Sequence, residues 1–373
     1  MSAVTSSSVG PSKKKLGAHN PKSFTAFRLA FFSIAVLLFA SRSLAQSSES
    51  ILPGPKPPDA PDEWKQFIGE YGLPSDTHHF FVFERNGELL LARASGGEAR
   101  LQQVSANDFT DSAVLLPRTY NPPLHRDSNG GIGLQVGGIA FLKNFYPSQG
   151  GLPQKIPPTH SIDELRRAAL RAESPSEKRD FNKPDLVELA PLDPAIHLDV
   201  RYAAKNNFLG VPVYTQARAF LQRPAAEALL RVLQKLKPLG YGLLIFDGYR
   251  PWYVTKIFWD ATPPEGKIFV ADPAQGSRHN RGCAVDLTLY DLKTSQPVEM
   301  TGAYDEMSPR SFPNYPGGTS LQRWHRDLVR RAMESEGFTV YESEWWHFDY
   351  KDWQEYGILN VPFEKLGIGS PAK

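Results

Sequence analysis

Ser277-Arg-His279-Asn-Arg-Gly282-Cys-Ala-Val-Asp286-Leu-Thr-Leu289 sets an imidazole and a carboxylate seven residues apart, with a glycine between them. That spacing predicts a loop running into a strand that begins near Ala284. The strand holds Asp286 rigidly, and the loop lets His279 fold over the same point. About sixty residues later, Glu344-Trp-Trp-His347 adds a second imidazole and a second carboxylate. Catalytic zinc takes three protein ligands and keeps a fourth position for water. His279, Asp286 and His347 are therefore candidate ligands of one Zn2+, and Glu344 is the carboxylate left over to carry a proton.

The neighbouring residues also have plainer roles open to them. A lone histidine is usually a hydrogen-bonded core or surface residue, and His78, His79, His125, His160, His197 and His325 are read that way. Trp345 and Trp346 are expected to wall a pocket. Cys283 is read as a small buried thiol, because a fourth protein ligand would close the open position. Arg250, in Asp247-Gly-Tyr-Arg-Pro251, follows an apolar run. A fixed guanidinium there suits the charge that develops on a carbonyl oxygen during amide hydrolysis. The alternative is a structural bridge to Asp247.

Around these motifs the elements alternate in type. Ile196, Leu198 and Val200 recur with period two, as on a half-buried strand. Pro224 opens a helix over Ala225–Leu236, with Leu229, Leu230, Val232 and Leu233 on its apolar face and Gly240 as its stop. Gly242–Asp247 reads as a buried strand, Leu321–Glu336 as a second long helix, and Phe338–Tyr341 as a strand running into Glu344–His347. The expected class is α+β: a central, mainly antiparallel sheet with flanking helices and the site across it.

Upstream, Phe80–Arg85, Asn86-Gly87 and Glu88–Arg93 carry a type I′ hairpin signal. Glycine-rich apolar pieces from Gly130 to Leu142 fit further strands. Residues 63–147 are thus read as a small β-rich module, preceded by a Pro/Ser-rich linker at 46–62. A linker over 148–184 follows, containing a short helix capped by Ser161 and Glu164, and residues 185–373 form the domain that carries the chemistry.

Residues 1–45 read as a secretory signal peptide. Lys13, Lys14, Lys15, Lys22 and Arg28 precede a twelve-residue apolar run, Leu29–Ala40, and small residues end at Ala45. A membrane span needs about twenty apolar residues, so cleavage near Ala45 and export to the periplasm are expected, with an uncleaved anchor as the alternative. Residues 1–45 hold six basic and no acidic residues, so their removal takes the formal charge from +2 to −4. A mildly acidic protein has no basic footprint for nucleic acid or anionic lipid. The one cysteine excludes an internal disulfide.

Four stretches in order carry a resemblance: Asp199-Val-Arg-Tyr202 through Gly210, Gly242–Pro251, Ser277–Leu289 and Glu344–His347. Over about Leu192–Phe363 the chain resembles the D-alanyl-D-alanine dipeptidases of the VanX type, within the wider D-Ala-D-Ala metallopeptidase and hedgehog-like fold group. The resemblance implies zinc on His279, Asp286 and His347, Glu344 as catalytic base and acid, and Arg250 as the transition-state arginine. It further implies substrate-positioning roles for Tyr202, Ser277 and Asp305, and a small D-Ala-D-Ala peptide as substrate. Two alternatives remain at this point. One is a D,D-carboxypeptidase or other peptidoglycan peptidase acting on longer stem peptides, and the other is a non-catalytic zinc-binding module.

Overall fold

A computed structural model describes residues 51–72, 79–111, 124–136, 139–144 and 155–367. The expected signal segment and its cleavage site lie outside the described residues. A short helix α1 (Asp62–Lys65) leads into eight strands: β1 (Gly69–Tyr71), β2 (Phe80–Arg85), β3 (Glu88–Arg93), β4 (Glu98–Gln103), β5 (Asp108–Asp111), β6 (Leu124–Arg126), β7 (Ile132–Val136) and β8 (Ile139–Leu142). They pair in chain order as one antiparallel sheet. The β2–β3 turn has Asn86 at φ 54° and Gly87 at φ 77°, the two positive values that a type I′ turn requires. Tyr71 bridges Lys143, and the Asn144 N–H donates to Glu70 O at 2.7 Å, so the first and last strands meet. Phe67, Tyr71, Phe80, Val82, Leu89, Leu91, Leu101, Phe109, Leu124 and Leu134 fill the space this sheet encloses.

Helix α2 (Ile162–Ala169) starts at Ser161, whose Oγ accepts from the Glu164 N–H. The next strands are β9 (Leu186–Glu188), β10 (Ile196–Leu198) and β11 (Phe220–Gln222). Pro224 stands in the first turn of α3 (Arg223–Leu236), and Gly240 caps the following turn at φ 87°. Ala225, Leu229, Val232, Leu233 and Leu236 of α3 are fully buried, whereas Leu230 is only partly so.

Strand β12 (Tyr241–Asp247) is buried at every position. Helix α4 (Trp252–Ala261), strand β13 (Ala284–Asp291), helix α5 (Ser320–Glu334), and strands β14 (Phe338–Tyr341) and β15 (Glu344–Tyr350) complete the chain. The second sheet has the order β10-β12-β13-β15-β14. It is mixed: β10 runs parallel to β12, and the other pairs are antiparallel. The single strand expected through Phe338–His347 is in fact a hairpin, because the chain turns at Glu342-Ser343 and pairs Tyr341 with Glu344. Helices α3 and α5 pack on each other and on this sheet. Among the described residues no helix is long and apolar enough to cross a membrane.

Strand register is what assembles the site. Asp247 on β12 stands opposite Asp286 on β13, and Asp286 stands opposite His347 on β15. Directly opposed residues share a face, so the three side chains form a row across adjacent strands. Alternation sends Val285, Leu287 and Phe348 to the other face, where they are fully buried. Cys283 shares their parity. It is buried, and burial pushes its thiol up to about 12.

Candidate active site and metal centre

His279 reaches the row from a single turn of 3-10 helix, Arg278–Arg281. Ser277 caps this turn by accepting from the His279 N–H at 3.2 Å, and Asn280 Oδ1 accepts from the Ser277 N–H at 2.6 Å. Gly282 ends the turn at φ 71°. A Cβ there would meet Leu186 Cδ2 at 2.6 Å, so both the left-handed backbone and the close packing require glycine. Buried Asn280 donates to Arg250 O at 2.7 Å and to Thr255 Oγ1 at 2.9 Å. It thereby ties the His279 turn to the segment that carries Arg250.

Three acceptor atoms converge on the face of the sheet. His279 Nδ1 lies 2.8 Å from Gly248 O, which can only accept, so Nδ1 carries the hydrogen and Nε2 the lone pair. His347 Nε2 lies 3.0 Å from Asp349 Oδ1, which by the same reasoning leaves the His347 lone pair on Nδ1. The two lone-pair nitrogens are 3.1 Å apart. Asp286 Oδ1 lies 3.4 Å from His279 Nε2 and 3.0 Å from His347 Nδ1. This oxygen is buried and accepts no well-directed hydrogen bond, while Oδ2 accepts from the Tyr304 hydroxyl at 3.0 Å. Such a cluster is repulsive unless something positive sits within it. Ligands about 2.0–2.1 Å from a tetrahedral zinc stand about 3.3 Å apart, and the observed gaps bracket that value. The donor set fits a metal, and these three residues are the ones among the described residues placed to hold it.

The electrostatics agree. Burial opposes the Asp286 charge, yet His279 and His347 hold its carboxyl well below the ordinary range. Burial likewise opposes a charged His347, but the Asp286 and Asp349 carboxylates beside it outweigh burial and push the imidazole up to about 10.

The remaining predicted residues gather around this centre. Glu344, the first residue of β15, places Oε2 3.7 Å from His347 Nδ1. Burial raises its pKa, as does Asp286, with His347 opposing. Nε and Nη2 of Arg250 donate to Asp247 Oδ2 at 3.0 and 2.8 Å. The other oxygen of Asp247 accepts from the Tyr214 hydroxyl at 2.7 Å. Burial works against the guanidinium charge, and Asp247 outweighs it, holding Arg250 above its ordinary value. The bridge and the site placement thus occur together. The Tyr202 hydroxyl donates to Asp305 at 3.0 Å, and the Arg250 guanidinium lies 5.3 Å over the Tyr202 ring. Burial, followed by Asp286 and Glu344, raises the Asp305 pKa well above the carboxylate range.

All eight residues singled out from the sequence, Tyr202, Arg250, Ser277, His279, Asp286, Asp305, Glu344 and His347, line one cavity of about 380 Å³. Trp346 also lines it, whereas Trp345 does not. Phe269 and Phe312, each about half exposed, stand among its lining residues. Sequence reasoning missed Asn280, the Gly248 carbonyl, Tyr304 and Asp349. Asp349 carried one usable signal, since a residue two positions beyond His347 on a strand faces the same way. His79 pairs with Glu70 at 3.0 Å, His197 stacks on Tyr290, and His325 lies 3.1 Å from the Tyr241 hydroxyl. None of the three lines the cavity that holds His279, Asp286 and His347. His78 lies outside the described residues.

Residues 182–364 match the family described as D-ala-D-ala dipeptidase, Peptidase_M15. The chain is 34% identical over 179 residues to the D-alanyl-D-alanine dipeptidase of Escherichia coli, covering 48% of this chain and 91% of that protein. It is 35% identical over 182 residues to the enzyme of the same name from Enterococcus faecium, covering 43% of this chain and 90% of the relative. Against the Streptomyces coelicolor enzyme of that name the identity is 33% over 175 residues, covering 42% and 87%.

Proposed function

Because this chain belongs to the D-Ala-D-Ala dipeptidase family, Peptidase_M15, we propose that it is a zinc-dependent dipeptidase that hydrolyses D-alanyl-D-alanine to two D-alanines in peptidoglycan metabolism. The observation that carries this reading is the convergence of His279 Nε2, His347 Nδ1 and Asp286 Oδ1, three acceptors with no donor among them. These residues would hold zinc, which when bound supplies Lewis acidity and a water acidified toward neutral pH.

The chain's own groups do the rest. Glu344 takes a proton from the attacking water and returns it to the departing amine of D-alanine, restoring its own charge. Arg250, fixed by Asp247, faces the negative charge that develops on the carbonyl oxygen. Asp305 receives the substrate ammonium, with Tyr202 bonded to it, and Ser277 orients the peptide while capping the His279 turn.

The proposed fold assignment is a hedgehog/D,D-peptidase-like zinc domain at 185–373 and a small β-rich module at 63–147. Two separate hydrophobic cores support the division. Export to the periplasm after cleavage near Ala45 is supported by the lysine-rich start, the short apolar run and the small residues that follow.

A second reading, action on longer stem peptides, is favoured by the half-exposed Phe269 and Phe312 of the cavity lining. They offer apolar surface beyond what two alanine side chains use. The test is D-alanine release by the zinc-loaded protein from the free dipeptide and from an acylated pentapeptide. Turnover of the dipeptide is expected. Zinc-loaded protein that releases D-alanine only from the pentapeptide establishes the second reading, and release from neither sinks both.

A further inference from the structure

We propose that the eight-stranded sheet acts on the substrate pocket through Glu84, a positioning residue for the segment Thr301–Thr319 that carries Asp305. The inference rests on the dipeptidase reading above.

The segment supplies Asp305, Glu306, Met307, Ser308, Ser311 and Phe312 to the cavity lining. Asp305 stands at φ 57°, a left-handed conformation that a non-glycine residue keeps only when its surroundings impose it. The first half of the segment is tied internally. Glu306 accepts from the Ala303 N–H at 2.7 Å, and Arg310 donates to Thr301 O at 2.9 Å. The second half, Phe312–Thr319, has no regular structure and runs directly into α5.

The eight-stranded sheet grips this second half. Glu84, at the end of β2, is buried. Its Oε2 accepts from the Ser320 N–H at 2.6 Å, while Oε1 accepts from the Gly87 N–H at 2.7 Å and from Ser320 Oγ at 3.2 Å. The Glu84 N–H donates to Gly318 O at 3.2 Å, and its carbonyl accepts from Arg323 Nη2 at 2.6 Å. Arg323 also donates to Gly317 O and Gly318 O at 3.1 and 2.9 Å. Phe81 meets the Tyr315 ring edge-on, with centroids 6.4 Å apart.

Thr319 already caps α5 by accepting from the Gln322 N–H, so the Glu84 carboxylate satisfies a different orphan donor in the first turn, where negative charge is favoured. Removing it takes the acceptor from two part-buried contacts, the Gly87 N–H on the sheet side and the Ser320 N–H on the helix side. The end of the segment that holds Asp305 then keeps the backbone contacts of Glu84 but loses its side-chain anchor, and no metal ligand is touched.

The test uses the full, zinc-loaded chain with Glu84→Ala and Glu84→Gln. For Glu84→Ala, the KM for D-alanyl-D-alanine should rise roughly fivefold, the effect expected from losing a helix-capping interaction, with kcat and zinc content unchanged. Glu84→Gln keeps one acceptor oxygen and should restore most of the loss. Hydrogen exchange supplies a readout independent of activity: amides of 301–319 should exchange about tenfold faster, with those of β13 and β15 unchanged. Unaltered exchange in 301–319, or a fall in kcat at constant KM, overturns the proposal. A variant in which β13 and β15 exchange faster as well overturns it too, because Glu84 is then merely structural. If the unmodified chain does not cleave the dipeptide, the dipeptidase reading fails and exchange alone decides the positioning claim. If Glu84→Ala does not fold, Glu84→Met, which keeps the bulk of the side chain but removes both acceptor oxygens, decides it by the same exchange measurement.

Discussion

His347 turns its Nε2 to Asp349, two residues along the same strand, at 3.0 Å, and Asp349 in turn pairs with Arg278. The carboxylate fixes the tautomer that leaves Nδ1 facing Asp286 and His279. Asp349→Asn preserves size but weakens the acceptor and admits the wrong tautomer. Zinc affinity is expected to fall about 10–100-fold, as read by competition with a chromophoric chelator. Unchanged affinity would remove Asp349 from the metal centre.

Glu344→Gln tests the proposed proton transfer apart from metal binding. Glu344 lies beside the ligand cluster and outside it, so zinc content should stay at the level of the unmodified protein. Loss of a positioned general base typically costs about 10²–10⁴-fold in rate, and kcat should drop within that range. A Gln variant that retains most of its kcat would assign proton transfer to another group.

Much of this site was legible in the sequence because its chemistry sits in contiguous motifs. His279 and Asp286 share a loop and strand start, and Glu344 and His347 share one strand. Roles that arise from register were not legible. Nothing in Asp247–Arg250 says that Asp247 will stand opposite Asp286, or that Gly248 O will hold His279. The period-two pattern at Ile196 and Leu198 marks a strand but not its direction, and the strand proved parallel to its neighbour. The hairpin at Glu342-Ser343 was hidden because it lacks the glycine or proline that signals a turn.

His325 gives the fold a predictable response to acid. It lies on α5 between Tyr241 and Glu299 O, and burial pushes its imidazole down to about 4, with Lys56 contributing. The unfolded chain binds this proton near pH 6.5, but the folded chain does so only near 4. The stabilisation is therefore complete above about pH 6.5 and is lost as pH falls toward 4. The loss attributable to this group is up to about 3 kcal/mol. Urea unfolding between pH 7 and 4 should show a steeper decline for the unmodified protein than for His325→Gln. Parallel curves would show that His325 does not contribute.

Arg250 and Asp247 can be tested as a unit. The guanidinium lines the cavity and is clamped by two bonds to one oxygen of Asp247, whose other oxygen is held by Tyr214. A donor contributes most in the transition state when it is fixed before charge develops, since no reorganisation is then needed. Arg250→Lys keeps the charge but loses the planar fork, so kcat should fall about 10²–10³-fold with zinc content intact. Asp247→Asn keeps the arginine but weakens the clamp, and it should cost kcat about tenfold, the smaller share expected of a supporting hydrogen bond to a charged group. Because both changes act on the same guanidinium, the double variant should be no slower than Arg250→Lys alone. Additive losses in steady-state kinetics would show that Asp247 acts on the reaction by a route that does not pass through Arg250.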